Sequence, residues 1–262
     1  MEIECIFFDL DAVLYIPADF LDVTLELTVK AMIQHGLRAT PREALQALME
    51  IRKGDSNGKD HLDQLCMRLN GHADSVVIAA GVEKYWDCKM GNMMPAQGAH
   101  KVLTSLASRY PLAVISNGDP KKQAGKLIRL TLDHYFATYG KGMILERHNV
   151  YSTLGAKKKP HPHLWQKAAK EIGCRLENSV MVGDRYVVDL MGAKRLGMTT
   201  IKVNQGKYKE ETPEESYEDK REELAELFPD MTRKEALDLM QPDHVTRKLS
   251  RIPELIERIE RS

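Results

Sequence analysis

Four short apolar runs, each followed by polar residues, constrain the fold of this chain more than any other feature of its sequence. They cover Ile3–Phe8, Leu112–Ile115, Val180–Val182 and Thr200–Val203. Their length and β-branched content are typical of strands that are buried on both faces of a parallel sheet. Parallel strands need long crossover connections, so helices are expected in the intervals between them.

Helical patterns do occupy the intervals between the later runs. Asp119 is a candidate N-cap with a proline after it, and the helix is expected to continue through Lys122–Thr131. Pro162–Ile172 and Val188–Leu196 also have helical patterns, and Gly197 is a suitable C-cap for the second. This alternation of strands and helices predicts an α/β fold built on a doubly wound parallel sheet.

The interval from about Ile16 to Met94 contains helical patterns and no convincing buried strand. A capping box at Thr40–Glu43 opens one helix, and Lys53–Gly58 is a turn-rich break. Further helical patterns cover Asp60–Leu69 and Ser75–Cys88. The sequence therefore predicts an α/β core from residues 1–15 and 95–262, with a small all-helical cap domain, residues 16–94, inserted after the first strand.

The segment Lys207–Gln241 interrupts the predicted core with a high density of charge. It contains Glu-rich stretches and a capping box at Thr232–Glu235, so one or two surface helices are expected there. A charge run of this kind more often marks a solvated face than a partner-binding surface. A final strand at Asp243–Val245 and a closing helix at Pro253–Arg261 complete the predicted core.

The charge balance of the chain disfavours one class of partner. The sequence has 38 Lys and Arg residues against 38 Asp and Glu residues. A protein that neutralises many nucleic-acid phosphates normally has a basic surplus, so no nucleic-acid partner is expected. The apolar runs fall short of the ~20 residues that span a bilayer, so no membrane association is expected.

Cysteine usage and the N-terminal sequence indicate a cytoplasmic protein. The four cysteines are scattered and form no CxxC pair, unlike those of disulfide scaffolds and zinc sites. Acids precede the first apolar run, whereas a secretory signal begins with a basic segment. Reduced thiols in a cytoplasmic protein are therefore expected.

Two acids, Asp9 and Asp11, stand directly after the first predicted strand. In open parallel sheets, ligands bind at the carboxyl ends of the strands. One carboxylate there could act as a nucleophile and the other as a general acid and base. The pair could equally bind Mg²⁺, which favours carboxylate oxygens, or only cap a helix.

Two further motifs are suited to phosphate groups. The hydroxyl and loop amides of Ser116–Gly118 could cradle phosphate oxygens, although an ordinary turn has the same composition. One lysine of Lys157–Lys159 could neutralise a phosphoryl group, and the other two are expected in solvent. His161 and His163 are poor candidates for a metal pair because Pro162 separates them.

The segment Val180–Asp189 places two more acids after a buried strand. Asp184 would complete a Mg²⁺ site if it lay near the first loop. Asp189, further along, could hold a lysine by charge pairing.

Together these motifs resemble those of the haloacid dehalogenase superfamily. IFFDLDAV, VISN, KKP and VMVGDRYVVD follow the order and spacing of that family's four motifs. The resemblance covers nearly the whole chain outside Lys207–Gln241. The stretch VMVGDRYVVDLMGAKRLGM is especially similar to archaeal-type phosphatases of the superfamily, some of which are labelled glyceraldehyde-3-phosphate phosphatases. The resemblance implies a Rossmann-like core and a Mg²⁺-dependent phosphatase that acts on a small-molecule phosphate ester.

The resemblance also implies a role for each motif residue. Asp9 is expected to form an aspartyl-phosphate, while Asp11 protonates the leaving alcohol and then activates water. Mg²⁺ is expected to bind to Asp9, to Asp184 and to the backbone carbonyl of Asp11. Asp189 is expected to orient the lysine or a metal-bound water. The residues expected to bind the phosphoryl oxygens are Ser116, Asn117 and Lys159.

Some positions depart from the family pattern or bear on specificity. Ala12 stands where glycine is frequent, and alanine tolerates positive φ poorly, so the loop is expected to be slightly altered. Val13 stands where threonine is frequent. The helical cap is expected to close over the substrate and select the leaving group, and its Trp86 is expected in the cap core.

Other functions stay open alongside the phosphatase. Asp11 argues against dehalogenation, because the dehalogenases of the superfamily have no alkoxide to protonate and lack this acid. The alternatives are a phosphomutase of the same superfamily and a catalytically retired scaffold with the same fold. A phospho-acceptor signalling domain is disfavoured by the helical insertion and by the Gly183-Asp184 motif. The oligomeric state is open, and a homodimer through the cap or the charged insertion is one alternative.

Overall fold

The contacts between residues divide the chain into two compact units. The structure is a computed structural model that describes residues 2–54 and 60–261. One unit comprises residues 1–16 and 94–262, and the other comprises residues 17–93. The turn-rich break predicted at Lys53–Gly58 lies mostly outside the described residues.

Parallel strands form the sheet of the larger unit. In chain order the described strands are β1 Cys5–Phe8, β2 Leu112–Asn117, β3 Ala137–Tyr139, β4 Leu145–His148, β5 Val150–Thr153, β6 Ser179–Gly183, β7 Thr199–Val203 and β8 His244–Thr246. Six of them form one sheet in the order β5-β2-β1-β6-β7-β8, and each neighbouring pair is parallel. The predicted α/β fold with a parallel sheet is confirmed. The antiparallel hairpin β3–β4 and the strand β5 were not predicted.

The first strand lies at the centre of the sheet because its residues are apolar on both faces. All four residues of β1 are fully buried. Ile6 is in register with Leu112 of β2 on one side and with Val180 of β6 on the other. The polar residues that follow β1, β2 and β6 are therefore brought to one edge of the sheet.

The described secondary-structure elements of the smaller unit are helices. Its helices are α1 Ala18–Gln34, α2 Pro41–Gly54, α3 His61–Asn70 and α4 Ser75–Gly91. The predicted capping box opens α2, because the Glu43 amide donates to Thr40 Oγ1 and the Glu43 carboxylate accepts from the Thr40 amide. Helices α1 and α4 pack closely at Gly81, where a β-carbon would lie 2.7 Å from Met32 Cγ.

Trp86 lies on the surface of α4, so the prediction that it packs in the cap core is wrong. Its side chain is 38% exposed. The Lys89 ammonium lies 5.1 Å from the centroid of its ring, and the Tyr85 ring packs edge-on against it. A cation over an indole face is a favourable contact, so a lysine one turn away on the same helix covers part of this aromatic surface.

The helices of the larger unit follow its strands. They are α5 Ala99–Ala107, α6 Pro120–Arg129, α7 His163–Ile172, α8 Gly192–Lys194, α9 Pro213–Leu227, α10 Arg233–Met240 and α11 Ile252–Arg261. The predicted cap of α6 is confirmed, because Asp119 Oδ1 accepts from the Lys122 amide at 2.9 Å. The helix predicted at Val188–Leu196 instead begins as a π-turn at Tyr186–Met191 and continues into α8. The turn is widened because the Arg185 carbonyl accepts from the amides of both Asp189 and Leu190.

The charged insertion forms the two helices α9 and α10, and it also has an apolar core. Leu224, Ala236 and Met240 are buried against Val187 and Met191 of the π-turn. The predicted capping box at Thr232 opens α10, and a second one, at Thr212, opens α9. The expectation of surface helices is confirmed, but one side of each helix is packed against the π-turn rather than solvated.

Two expectations from the sequence concern the state of the cysteines and the presence of membrane-spanning segments. The four cysteines are free thiols in the structure. Among the described residues, no helix combines the length and the apolar character needed to cross a lipid bilayer.

Candidate active site

Three of the sequence motifs meet at the carboxyl edge of the sheet because their strands are neighbours. Asp9 follows β1, Ser116 and Asn117 end β2, and Asp184 follows β6. The Asp9 amide donates to the Val182 carbonyl at 2.9 Å, which extends the pairing of β1 and β6 up to the acid itself. Asp9, Ser116 and Asp184 are all buried.

Lys159 joins this group and pairs with two of its acids. Its ammonium lies 2.7 Å from Asp9 Oδ1 and 2.6 Å from Asp189 Oδ1, and the side chain is only 1% exposed. Burial lowers the pKa of Lys159, but the charges of Asp189 and Asp9 outweigh burial and raise its pKa above the ordinary value. The lysine is therefore protonated at neutral pH and is shared by two carboxylates.

The side chain of Asn117 holds the backbone of Lys159 in place. Its amide nitrogen donates to the Lys159 carbonyl at 2.9 Å, and its amide oxygen accepts from the Lys159 amide at 2.7 Å. This pair of bonds fixes the end of β2 to the loop that carries the lysine. The phosphate contact expected of Asn117 stays a prediction, since its side chain is engaged by this backbone.

The aspartates at the end of β6 and in the π-turn form a cluster suited to a metal ion. Ligand atoms of Asp9, Asp184 and Asp189 all lie within 4.8 Å of one another. Asp189 Oδ2 also accepts from the amides of Asp184 and Arg185. At Gly183, a β-carbon would lie 2.4 Å from Asp189 Cβ, so the glycine allows this close approach. The Asp11 side chain is outside the cluster.

Buried carboxylate oxygens without partners test whether this cluster fits a cation. Both side-chain oxygens of Asp184 are buried and have no hydrogen-bond partner within residues 2–54 and 60–261. Burial raises the pKa of Asp184 well above its usual range, and the charges of Asp189 and Asp9 raise it further. Burial likewise raises the pKa of Asp9 to about 7, against the lowering effect of Lys159. Such oxygens suit Mg²⁺, a hard cation that binds carboxylates.

Sequence reasoning missed Lys202, a buried lysine at the end of the neighbouring strand β7. Its side chain is fully buried, and its ammonium donates to the Asp184 backbone carbonyl at 2.8 Å. The ammonium also lies 4.5 Å from the centroid of the Tyr186 ring. Burial lowers the pKa of Lys202. The apolar run Thr200–Val203 offered a signal, because Lys202 is the single charged residue in it.

The second acid, Asp11, is engaged by residues of α6 that the motifs do not include. Lys126 Nζ lies 2.6 Å from Asp11 Oδ1, and the Tyr15 hydroxyl donates to the same oxygen. Gln123 Nε2 lies 3.2 Å from Asp11 Oδ2 and 3.0 Å from Ser116 Oγ. Burial tends to raise the pKa of Asp11, but Lys126 and the hydrogen-bond donors lower it overall. Helical spacing was the available signal, since residues 123 and 126 share one face of α6.

The loop after Asp11 holds Ala12 in a backbone conformation that glycine would adopt, so the alteration expected from alanine stays a prediction. Ala12 has φ of 61°, in the region that favours glycine. Its methyl group faces Gly206, where a β-carbon would lie 2.9 Å from Ala12 Cβ. Gln205 Nε2 donates to the carbonyls of Ala12 and Val13 at 3.0 and 2.8 Å. The loop therefore accommodates alanine because a glycine lies opposite.

The remaining candidates of the Lys157–His163 segment lie outside this cluster. Lys158 is half-exposed and its ammonium lies 3.3 Å from Glu223 Oε1 of α9. The rings of His161 and His163 have centroids 6.4 Å apart, and neither belongs to the acidic cluster. Lys159 is the buried lysine of the run, as expected for one of the three.

The sheet and its site define a class of protein, the α/β proteins with a carboxylate-rich site at the carboxyl edge of a parallel sheet. The family model for haloacid dehalogenase-like hydrolases matches residues 6–203. A glyceraldehyde 3-phosphate phosphatase from Pyrococcus furiosus is 35% identical over 210 residues, which cover 79% of this chain and 83% of that protein. The chain belongs to the haloacid dehalogenase-like hydrolase family.

Solved structures share the fold. A HAD phosphatase from Thermococcus onnurineus has a TM-score of 0.59 at 18% identity, with 97% of this chain and 98% of that chain covered. A candidate β-phosphoglucomutase from Thermotoga maritima has a TM-score of 0.63 at 16% identity, with 98% of this chain and all of that chain covered. At these identities the likeness concerns the fold alone.

Proposed function

We propose that this protein is a Mg²⁺-dependent phosphatase that hydrolyses a small-molecule phosphate monoester through an aspartyl-phosphate on Asp9. The observation that carries the proposal is the buried contact of 2.7 Å between Asp9 Oδ1 and the Lys159 ammonium, beside a second acid at Asp11. A carboxylate nucleophile, a fixed cation for the phosphoryl group and a proton donor are the groups that this reaction requires.

In the first step, the Asp9 carboxylate attacks phosphorus and the bond between phosphorus and the ester oxygen breaks. Asp11, in its protonated form, donates a proton to the departing oxygen, so the product leaves as an alcohol. The contacts that lower the pKa of Asp11 favour the ionised form, which the second step requires. The Lys159 ammonium and the Ser116 hydroxyl contact the phosphoryl oxygens and stabilise the charge that they carry in the transition state. Asp189 keeps the ammonium at the site through its contact of 2.6 Å.

In the second step, water hydrolyses the aspartyl-phosphate. Asp11, now ionised, takes a proton from the water as its oxygen bonds to phosphorus. The bond between phosphorus and the Asp9 oxygen then breaks, which releases inorganic phosphate and restores both carboxyl groups. One residue thus acts as an acid and then as a base.

Asp9, Asp184 and the backbone carbonyl of Asp11 are the proposed ligands of Mg²⁺. The two partnerless oxygens of Asp184 within the described residues support this assignment. When bound, Mg²⁺ supplies a Lewis acid that neutralises the charge of the phosphoryl oxygens. The three clustered carboxylates would repel an anionic substrate, and a cation held by them would offset this repulsion.

The first substrate to test is glyceraldehyde 3-phosphate, since the Pyrococcus furiosus relative carries that name. The roles of the helical unit as a cap and as the determinant of specificity stay predictions. A panel of small phosphate esters, including sugar phosphates and p-nitrophenyl phosphate, would rank the substrates without assuming one.

The test is the release of inorganic phosphate from this panel by wild type and Asp9→Asn, with Mg²⁺ and with EDTA. We expect turnover that requires Mg²⁺ and is lost in Asp9→Asn, while Asp230→Asn, at an exposed position, keeps wild-type rates. Mg²⁺ should also raise the unfolding temperature of wild type and not that of Asp184→Asn.

Two results would contradict the proposal. Undiminished phosphate release by purified Asp9→Asn would exclude an aspartyl-phosphate on that residue. Conversion of a sugar phosphate into its isomer, without release of phosphate, would identify a phosphomutase instead.

A further inference from the structure

We propose that Lys126 and Gln123 are positioning residues that orient Asp11, so that its Oδ2 atom is the one that exchanges the proton with the leaving group and the water. This inference rests on the proposed role of Asp11 as acid and base. Neither residue belongs to the four motifs that carry the family resemblance. Asp11, Gln123 and Lys126 all lie in the larger unit.

The first observation is that Asp11 Oδ1 is already used by two donors. Lys126 Nζ lies 2.6 Å from it, and the Tyr15 hydroxyl donates to it as well. The Lys126 side chain is only 16% exposed, and its ammonium lies 5.4 Å from the centroid of the Tyr15 ring. An oxygen that accepts from an ammonium and a hydroxyl has little room for a proton of its own. Oδ2, whose one contact, with Gln123 Nε2, is longer at 3.2 Å, is the oxygen better placed to exchange a proton.

The second observation is that Gln123 places Oδ2 beside the phosphate-binding hydroxyl. Its Nε2 atom lies 3.2 Å from Asp11 Oδ2, 3.0 Å from Ser116 Oγ and 2.7 Å from the Asn117 carbonyl. Only the NH₂ end of an amide can face a carbonyl, so the Asn117 contact fixes which end of Gln123 points into the site. One nitrogen therefore spans the acid and the residue proposed to bind the phosphoryl group.

The third observation is that the backbone leaves space for this amide. Gln123 is 4% exposed, and a β-carbon at Gly118 would lie 2.7 Å from Gln123 Nε2. Gly118 has φ of 137°, which glycine adopts without strain. Helix α6 starts at Pro120, directly after this turn, so Gln123 and Lys126 reach the site from the same face of its first turns.

Substrates with different leaving groups can distinguish a positioning role of Lys126 and Gln123 from a purely structural one. An alkyl phosphate leaves as a strongly basic alkoxide that needs a proton, whereas p-nitrophenolate is stable without one. The value of kcat/KM reports the steps up to departure of the leaving group when the phosphoenzyme forms irreversibly. A misplaced Asp11 should therefore impair the alkyl ester far more than the aryl ester.

The experiment compares kcat/KM for p-nitrophenyl phosphate with that for the alkyl phosphate that wild type hydrolyses best. For Lys126→Met we expect a loss of about 10- to 100-fold on the alkyl ester and of no more than about 3-fold on the aryl ester. Lys126→Arg, which keeps a donor and a charge, should recover most of the loss. Lys121→Met, at an exposed position of the same helix, is the matched control and should behave as wild type.

Gln123→Met provides a second, independent measurement and should show the same preference for the aryl ester. Equal losses on both esters in the folded Lys126→Met and Gln123→Met variants would overturn the inference, as would unchanged kinetics. Failure of the proposed function is a separate outcome, because it would appear in the wild type and Asp9→Asn, as turnover that needs neither Mg²⁺ nor Asp9.

Discussion

Replacement of Lys159 by methionine tests the electrostatic organisation of the site. The substitution keeps a long side chain and removes the ammonium that lies 2.7 and 2.6 Å from Asp9 and Asp189. Removal of one partner from a buried ion pair costs about 3–5 kcal/mol, because the remaining charge is left uncompensated. Here two carboxylates lose their partner and Asp184 lies within the same cluster, so we expect a loss in that range.

The pH dependence of this loss has a definite sign. The pKa of Lys159 is raised, so its stabilising contribution is complete below the ordinary lysine pKa of ~10.5 and is lost only as pH rises through the raised value. In Lys159→Met, protonation relieves the repulsion among the carboxylates as pH falls. The deficit in the free energy of unfolding should therefore shrink between about pH 8 and about pH 5.

Urea unfolding in EDTA would measure this deficit. The chain has two tryptophans, Trp86 in the smaller unit and Trp165 in the core of the larger one. A Trp86→Phe background leaves Trp165 fluorescence as a reporter of the α/β unit alone. Lys158→Met is the matched control, because its half-exposed ion pair is worth at most about 1 kcal/mol. A Lys159→Met deficit no larger than that of Lys158→Met, or one that grows as pH falls, would refute the reasoning.

Two further predictions concern other parts of the larger unit. Hydrogen bonds from Arg175 lower the pKa of Glu4 to about 2, so its stabilising effect is present above about pH 4.5 and is lost as pH falls towards the lowered value. Glu4→Gln should therefore have a lower thermal midpoint than wild type at neutral pH and should converge with it in acid; a constant difference across a pH series would contradict this. Gly118→Ala should displace the Gln123 amide and cost about 1–3 kcal/mol in urea unfolding, since the new β-carbon would lie 2.7 Å from Gln123 Nε2. Unchanged stability would show that the amide can move aside at no cost.

The parts of the site that were predictable from sequence are those fixed by strand topology. Asp9, Ser116 and Asp184 each follow an apolar run, and parallel strands bring such positions to one edge. The residue pattern alone left the choice among Lys157–Lys159 open, the family resemblance named Lys159, and Lys159 is the buried lysine of the three. These predictions needed only the direction of the strands and their adjacency.

The parts that were missed depend on which face of an element a side chain occupies. In the sequence, Gln123 and Lys126 are indistinguishable from other polar residues of an amphipathic helix. Only their contacts with Asp11 in the structure mark them as part of the site. Trp86 was expected in a core because aromatic residues are mostly buried, yet its own helix turns it to the surface. Composition also gave no sign that Leu224, among many charged neighbours, would be buried. Tertiary packing decided each of these positions.

The π-turn that carries Asp189 also packs against α9 and α10, the two helices of the charged insertion. Val187 and Met191, two residues to either side of that acid, belong to the apolar core of α9 and α10. Removal of residues 207–241 to obtain a minimal hydrolase would expose the side chains of Val187 and Met191 to water. Both lie close in sequence to Asp189, which pairs with Lys159. A lineage that shortened this insertion would have to change Val187 and Met191 to polar residues at the same time, so the insertion and the π-turn are constrained to evolve together.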